Sequence, residues 1–188
     1  ALTALRERLP VHMSAGTHAG LRERDFDGLL EVAADGQAID LGALRVMPFT
    51  VPHDAREPLQ LHCTDGDARL GVLTDLGHVT AHVLAHLAGC GTLLLECNHD
   101  TQMLANGPYP WFLKRRVGGD WGHLANSAAA EAARTLQARG LRQVVAAHLS
   151  EKNNTPDLAR TALAEALGAA PQDIHVATAS AGCAWLRA

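Results

Sequence analysis

The order in which short apolar segments and turn signals follow one another constrains this chain most. Residues 44–51, 59–63 and 68–74 are β-rich and separated only by loops, and Asp65-Gly66-Asp67 supplies the tight-turn pair of a hairpin. From residue 79 the pattern becomes an alternation. A helical stretch over 79–87 leads to a buried strand at 92–95, a helix at 111–117 and an Ala-rich helix over 127–139 closed by Gly140. A strand at 143–147, a helix from Pro156 to Leu167, a strand-like 174–177 and an apolar segment ending near Leu186 follow. Hairpins followed by β-α alternation predict an α/β (α+β) domain in layers, because strands joined through helices lie parallel with the helices covering the sheet. Ahead of this, Leu2, Leu5 and Leu9 recur at helical spacing, 11–13 is strand-like and 17–24 helical. Gly28, Asp35-Gly36 and Gly42 separate short apolar pieces expected to pair as a meander.

With 188 residues against about 150 for a typical domain, a single domain over 1–188 is expected. Apolar residues at 47% and charged residues at 19% fit a packed domain and argue against disorder. The net charge of -4 gives no global basic field, so a polyanion site has to be local. No apolar run approaches the ~20 residues needed to cross a bilayer, and the first residues lack the apolar stretch of a secretory leader. The four cysteines form no Cys-x-x-Cys pair and are scattered through apolar segments, as buried thiols of a reducing compartment would be. A cytoplasmic location is expected.

Four of the predicted strand units run into a residue that binds metals or moves protons: His53, Asp75, Glu96 and His148. In layered α/β folds, strand ends deliver side chains to one edge of the sheet, where loops collect them into a site. Each taken alone reads as a satisfied polar residue closing a buried strand. Together, imidazole nitrogens and carboxylate oxygens form a donor set suited to zinc, manganese or iron. No Gly-x-Ser-x-Gly elbow, phosphate-binding Gly-x-x-x-x-Gly-Lys loop or His-Glu-x-x-His helix competes with that assignment.

Around these positions the strings Pro52-His53-Asp54-Ala55, Thr74-Asp75-Leu76-Gly77, Glu96-Cys97-Asn98-His99-Asp100, Tyr109-Pro110, Leu113-Lys114-Arg115-Arg116, Gly122-His123-Leu124-Ala125-Asn126 and His148-Leu149-Ser150-Glu151-Lys152-Asn153-Asn154 occur in this order. In this arrangement the chain resembles the metallo-β-lactamase fold, in its YycJ/WalJ-like group near ribonuclease Z. The resemblance implies a four-layer αββα sandwich with two divalent metal ions, zinc or manganese, and hydrolysis of phosphodiester bonds in DNA or RNA. It implies His53 as ligand to one metal, Asp75 as a bridge and His148 as ligand to the other. Glu96 and His123 would form a proton-transfer pair, with His99 and Asp100 beside it. The hallmark His-x-His-x-Asp-His of the family does not occur in the sequence and is expected upstream of Ala1, so the sandwich is expected to be incomplete at its N-terminus. Two other readings remain at this point: a non-catalytic remnant serving as a binding or structural module, and a small-ester or thioester hydrolase, which the charge of -4 mildly favours.

Three further features call for a reading. His78, His82 and His86 recur at i, i+4 and i+8, a spacing that can bind metal, but no carboxylate joins them in the sequence and a polar helix stripe is the expectation. Lys114-Arg115-Arg116, flanked by Trp111, Phe112 and Trp121, suits contact with phosphates and unpaired bases, or equally a basic turn of an amphipathic helix. Gly118-Gly119 ahead of a helix starting near His123 reads either as a phosphate-binding approach or as a plain loop. A sheet face without its partner would leave apolar surface and favour a homodimer.

Overall fold

The computed structural model describes residues 7–22 and 25–187. The helix expected from Leu2, Leu5 and Leu9 lies almost wholly outside them. Strand β1 (Val11–Met13) is followed by helix α1 (Ala15–Gly20), whose N-cap Ser14 accepts the Thr17 N–H, and by β2 (Leu30–Val32). β1 and β2 pair in parallel as a separate two-stranded sheet. The expected meander is thus corrected at its first member, since α1 provides the crossover that a parallel pair requires.

The main sheet has seven strands in chain order: β3 (Ile39–Asp40), β4 (Arg45–Thr50), β5 (Leu59–Thr64), β6 (Arg69–Leu73), β7 (Thr92–Glu96), β8 (Gln143–Ala147) and β9 (His175–Val176). β3 to β6 pair antiparallel and β6 to β9 parallel, as the switch from hairpins to β-α alternation predicts. In the β5–β6 hairpin Asp65 Oδ1 accepts the N–H groups of Asp67 and Ala68, and Gly66 adopts φ 105°. Pro48, inside β4, lies beyond the reach of the short β3, so the N–H it lacks breaks no ladder bond on that side.

Between β6 and β7 lies α2 (Ala81–Leu87). Three helices connect β7 to β8: α3 (Thr101–Asn106), α4 (Trp111–Val117) and α5 (Asn126–Gln137). α6 (Pro156–Leu167) and a 3-10 turn (Pro171–Asp173) lead into β9. Thr155 caps α6 and Gly168 ends it in the left-handed conformation. α2, α5 and α6 touch one another in sequence and each touches the sheet, so they form one layer on one face. Buried alanines 129, 130, 132 and 133 on α5 face Ala159 and Ala164 on α6, and their small side chains allow the two helices to lie close. Phe49, Leu73, Val83, Leu87, Leu93 and Leu95 fill the space between sheet and helices. No helix among the described residues is long and apolar enough to cross a membrane.

Local departures from the sequence reading follow from caps. The helix containing His82 and His86 starts at Ala81 behind its cap Thr80, leaving His78 in the preceding loop, bonded to the Asp120 carbonyl at 2.9 Å. α5 begins at Asn126, three residues beyond His123, so no helix start faces Gly118-Gly119. α3, absent from the sequence reading, is nucleated by Asp100, whose Oδ1 accepts the N–H groups of Gln102 and Met103. Beyond β9 the expected apolar element is an irregular segment with one bridge, Thr178 to Gly182, and Trp185 is exposed. Cys90 and Cys97 are buried as expected, Cys63 is half-buried and Cys183 is exposed.

Candidate metal centre at the strand ends

β4 and β6 are both antiparallel to β5 and therefore run the same way, and β7 and β8 are parallel to β6. The residues that follow β4, β6 and β8 and the last residue of β7 consequently emerge at one edge of the sheet. These are His53, Asp75, His148 and Glu96. His123 reaches the same place from the loop after α4, and the five side chains form one cluster. Asp75 (φ 54°) and His148 (φ 55°) both leave their strands in the left-handed region, which is uncommon for residues with a Cβ. Backbone strain of this kind persists where surrounding structure enforces it and concentrates at functional sites.

Glu96 is the organising group. It is fully buried, and its Oε1 lies 2.7 Å from His123 Nδ1 and 3.0 Å from His148 Nδ1, while Oε2 accepts the Leu76 N–H at 3.1 Å. Burial alone would raise its pKa. The bonds from His123, His148 and Leu76 outweigh burial and hold it below the ordinary carboxylate value. In return the Glu96 carboxylate, helped by Asp75, holds His148 above the ordinary histidine value against its burial.

An ionised carboxylate only accepts hydrogen bonds, so His123 and His148 must each present Nδ1–H to Glu96. His53 is fixed in the same way, because its Nδ1 lies 3.0 Å from the carbonyl oxygen of Gly122, also a pure acceptor. All three rings therefore carry the proton on Nδ1 and leave Nε2 with a free lone pair, the arrangement in which an outer hydrogen bond sets the tautomer of a metal-binding histidine. His53 Nε2 lies 4.0 Å from Asp75 Oδ1, and His148 Nδ1 lies 3.7 Å from the same oxygen. The ring of His123 lies between the other two, with centroid separations of 5.2 Å to each. Imidazole rings and a carboxylate gathered at one sheet edge are a ligand set that suits a divalent ion of the zinc or manganese type. The residues present thus fit the group that the fold implies, with His53, Asp75 and His148 as the side chains that would hold it.

Two glycines make this packing possible. A Cβ on Gly122 would lie 2.1 Å from the Arg116 carbonyl oxygen, and one on Gly77 2.2 Å from the Asp120 carbonyl group. Gly122 therefore sits close enough under α4 to aim its carbonyl at His53. Asp54, which the sequence reading passed over, accepts from Arg116 Nε and lies 3.6 Å from His53 Nε2. The Arg116 bond holds its carboxyl below the usual range.

The remaining predicted residues divide. His99 is buried, and its Nδ1 has no partner among the described residues. Burial lowers its pKa, and it lies within the electrostatic reach of Glu96 and His123. Asp100 caps α3, with its backbone N–H bonded to the Asn153 carbonyl. Lys114, Arg115 and Arg116 form the last turn of α4: Lys114 Nζ donates to the Ala105 carbonyl, Arg115 lies 5.5 Å over the Trp111 ring, and Arg116 pairs with Asp54. Trp111, Phe112 and Trp121 are each more than 60% exposed, at 68%, 62% and 62%. They are thus surface groups, not the core anchors of an amphipathic helix. A cleft of about 670 Å³ is lined by His148 together with Thr74, Leu94, Ser150 and Thr178 among others.

Residues 1–149 match the family described as Beta-lactamase superfamily domain, and the chain belongs to that family. Its central mixed sheet flanked by helices matches the metallo-β-lactamase fold. Over 132 residues it is 35% identical to exodeoxyribonuclease YycJ of Bacillus anthracis, covering 70% of this chain and 50% of that protein. It is 34% identical over 142 residues to exodeoxyribonuclease WalJ of Streptococcus pneumoniae serotype 2, covering 75% and 52%. The chain thus spans about half the length of these curated relatives. Among solved structures it resembles Zn(2+)-bound PqqB from Methylobacterium extorquens, with a TM-score of 0.62, 19% identity and coverage of 94% of this chain and 65% of that one.

Proposed function

We propose that the cluster around Glu96 is part of the metal centre of a hydrolase that cleaves phosphodiester bonds in nucleic acid, with DNA as the first substrate to test. Three histidines around Asp75, each with Nδ1–H given to an acceptor and Nε2 left free, carry this reading. The names of the two curated relatives support a DNA substrate.

In this reading His53 would hold one divalent ion and His148 a second, with Asp75 as the carboxylate that would serve both, and zinc and manganese both suit the donor set. Such ions lower the pKa of the attacking water and offset charge at the scissile phosphate. The chain's own groups do the remaining work. Glu96 fixes the ring of His123 through Nδ1, so Nε2 is the ring atom placed to pass a proton to the leaving oxygen. His99 lies within electrostatic reach of this pair, and Asp100 caps the start of α3 next to it. On the rim, Lys114, Arg115 and Arg116 contact backbone phosphates while Trp111, Phe112 and Trp121 offer faces on which unpaired bases stack.

The test uses the complete gene product and end-labelled DNA, with RNA and carboxylic esters in parallel. Asp75→Ala loses bound metal by elemental analysis, whereas His123→Ala keeps it and loses cleavage by roughly 10²–10⁴-fold, the usual contribution of a positioned general acid. Cleavage retained in both variants overturns the assignment. Turnover of esters or thioesters without nucleic-acid cleavage overturns the substrate.

A further inference from the structure

A second gathering of histidines and a carboxylate shares no residue with the cluster around Glu96. Asp35 lies in the Asp35-Gly36 turn that links the two-stranded sheet to the main sheet. Its Oδ1 accepts the Thr50 N–H at 3.0 Å, and the Gly36 N–H donates to the Pro48 carbonyl at 2.9 Å, so the backbone of β4 holds the turn and orients the carboxylate. Across from it α2 presents His82 and His86, four residues apart and hence on one helix face. Their rings meet edge to face with centroids 4.5 Å apart. His86 is further fixed by stacking on the buried Phe49, with centroids 5.0 Å apart and 15° between the planes. His82 Nε2 lies 3.2 Å from Asp35 Oδ1, and one ligand atom from each of the three residues lies within 4.8 Å of the others.

We propose that Asp35, His82 and His86 bind a divalent cation of the zinc class, clipping the loop between the two sheets to α2. Two imidazoles and a carboxylate are a ligand set that zinc accepts, with a fourth position left to water. Bonds of about 2.0–2.1 Å in tetrahedral geometry place neighbouring ligand atoms roughly 3.3 Å apart. The observed 3.2 Å between His82 and Asp35 already meets that spacing, and His86 offers its ligand atom within 4.8 Å of both. Asp35 and His82 are exposed, so an ion and its water can enter without opening the fold. Arg69 is the nearby cation, but its guanidinium is bonded to the Ala88 and His86 carbonyls and set against His62, leaving the three ligand atoms unobstructed. The sequence reading missed this site because the carboxylate completing the histidine pair stands 47 residues from His82.

The proposal is tested by titrating Co²⁺, a zinc stand-in whose visible absorption reports four-coordinate nitrogen and oxygen ligation, into the complete gene product carrying Asp75→Ala and His148→Ala. One equivalent of Co²⁺ is expected to bind with visible absorption and to be displaced by Zn²⁺, and adding His86→Ala is expected to abolish it. His82→Gln keeps a hydrogen-bond donor facing Asp35 but offers no imidazole. It should lose the Co²⁺ signal while the metal-free thermal midpoint stays at its parent's value. The same subtraction in the otherwise unaltered protein, where His82→Gln with His86→Gln lowers the bound stoichiometry by one, covers a parent variant that fails to fold. Stoichiometry and spectrum unchanged by these substitutions overturn the site and leave the His82 to Asp35 contact a simple hydrogen bond.

Discussion

Around Glu96 a fully buried carboxylate draws histidines from a strand end and a loop, whereas around Asp35 an exposed carboxylate is brought to histidines already paired on a helix. In the first region every donor facing the carboxylate is cut off from bulk solvent on that side, so removing one partner leaves others unpaired at the full cost of desolvation. In the second, water can replace any partner, and the geometry has little influence on stability until an ion joins it. Similar residue types therefore give a tightly bonded cluster in one place and a loose, solvent-reached contact in the other. Depth of burial, not composition, separates the two.

The sharpest way to break that contrast is Glu96→Ala. It leaves the Leu76 N–H and the Nδ1–H groups of His123 and His148 without their acceptor, and a loss of about 3–5 kcal/mol is expected, as for a buried charge pair deprived of one member. Urea unfolding of the complete gene product measures it, and a loss below 1 kcal/mol would show that water already reaches Glu96. A smaller effect, about 1–3 kcal/mol, is expected from Gly122→Ala, because the new methyl group must displace the backbone of Arg116. That variant should also weaken metal binding, since the carbonyl that holds His53 Nδ1 moves with it. Metal affinity at the wild-type level would show that His53 does not depend on Gly122.

A pH dependence is expected beside the second region. His62 is held down to about 4 by burial, then by Arg69 and His86, against 6.5 when unfolded. Between these values the unfolded chain binds the proton that the folded chain refuses, so stability contributed above pH 6.5 is lost as pH falls toward 4. His62→Gln does not titrate and should flatten this limb. Thermal midpoints of the two proteins, compared between pH 7 and pH 4, should converge or cross, and parallel curves would show that His62 is already accessible to protons.

Much of the architecture is legible in the sequence because it rests on local signals. The hairpin at Asp65-Gly66, the Thr155-Pro156 start and Gly168 end of α6, and the apolar β7 and β8 are set by propensity and periodicity within a few residues. The direction of the strands then carries His53, Asp75, Glu96 and His148 to one edge, so the members of that cluster could be named from the sequence. What was not legible depends on pairings between distant segments. The parallel partnership of β1 and β2, the bond from Arg116 to Asp54 and the arrival of Asp35 at α2 span separations that no local pattern encodes. α3 was missed for a different reason. Its cap, Asp100, sits in the same string as Glu96 and His99, where an acidic residue fits a site as well as an N-cap.

The position of Trp121 gives the molecule a built-in optical reporter. Its carbonyl accepts the Asp54 N–H at 2.9 Å and the carbonyl of the next residue bonds the His53 ring, so a movement of His53 is passed through two bonds to the segment carrying an exposed indole. Trp111 lies under Arg115 on the neighbouring helix, while Trp185 stands free in solvent and supplies a constant background. Intrinsic fluorescence, with Trp111→Phe to isolate the contribution of Trp121, can therefore follow movement of the His53 loop in real time on unlabelled protein, including any that accompanies the proposed metal binding.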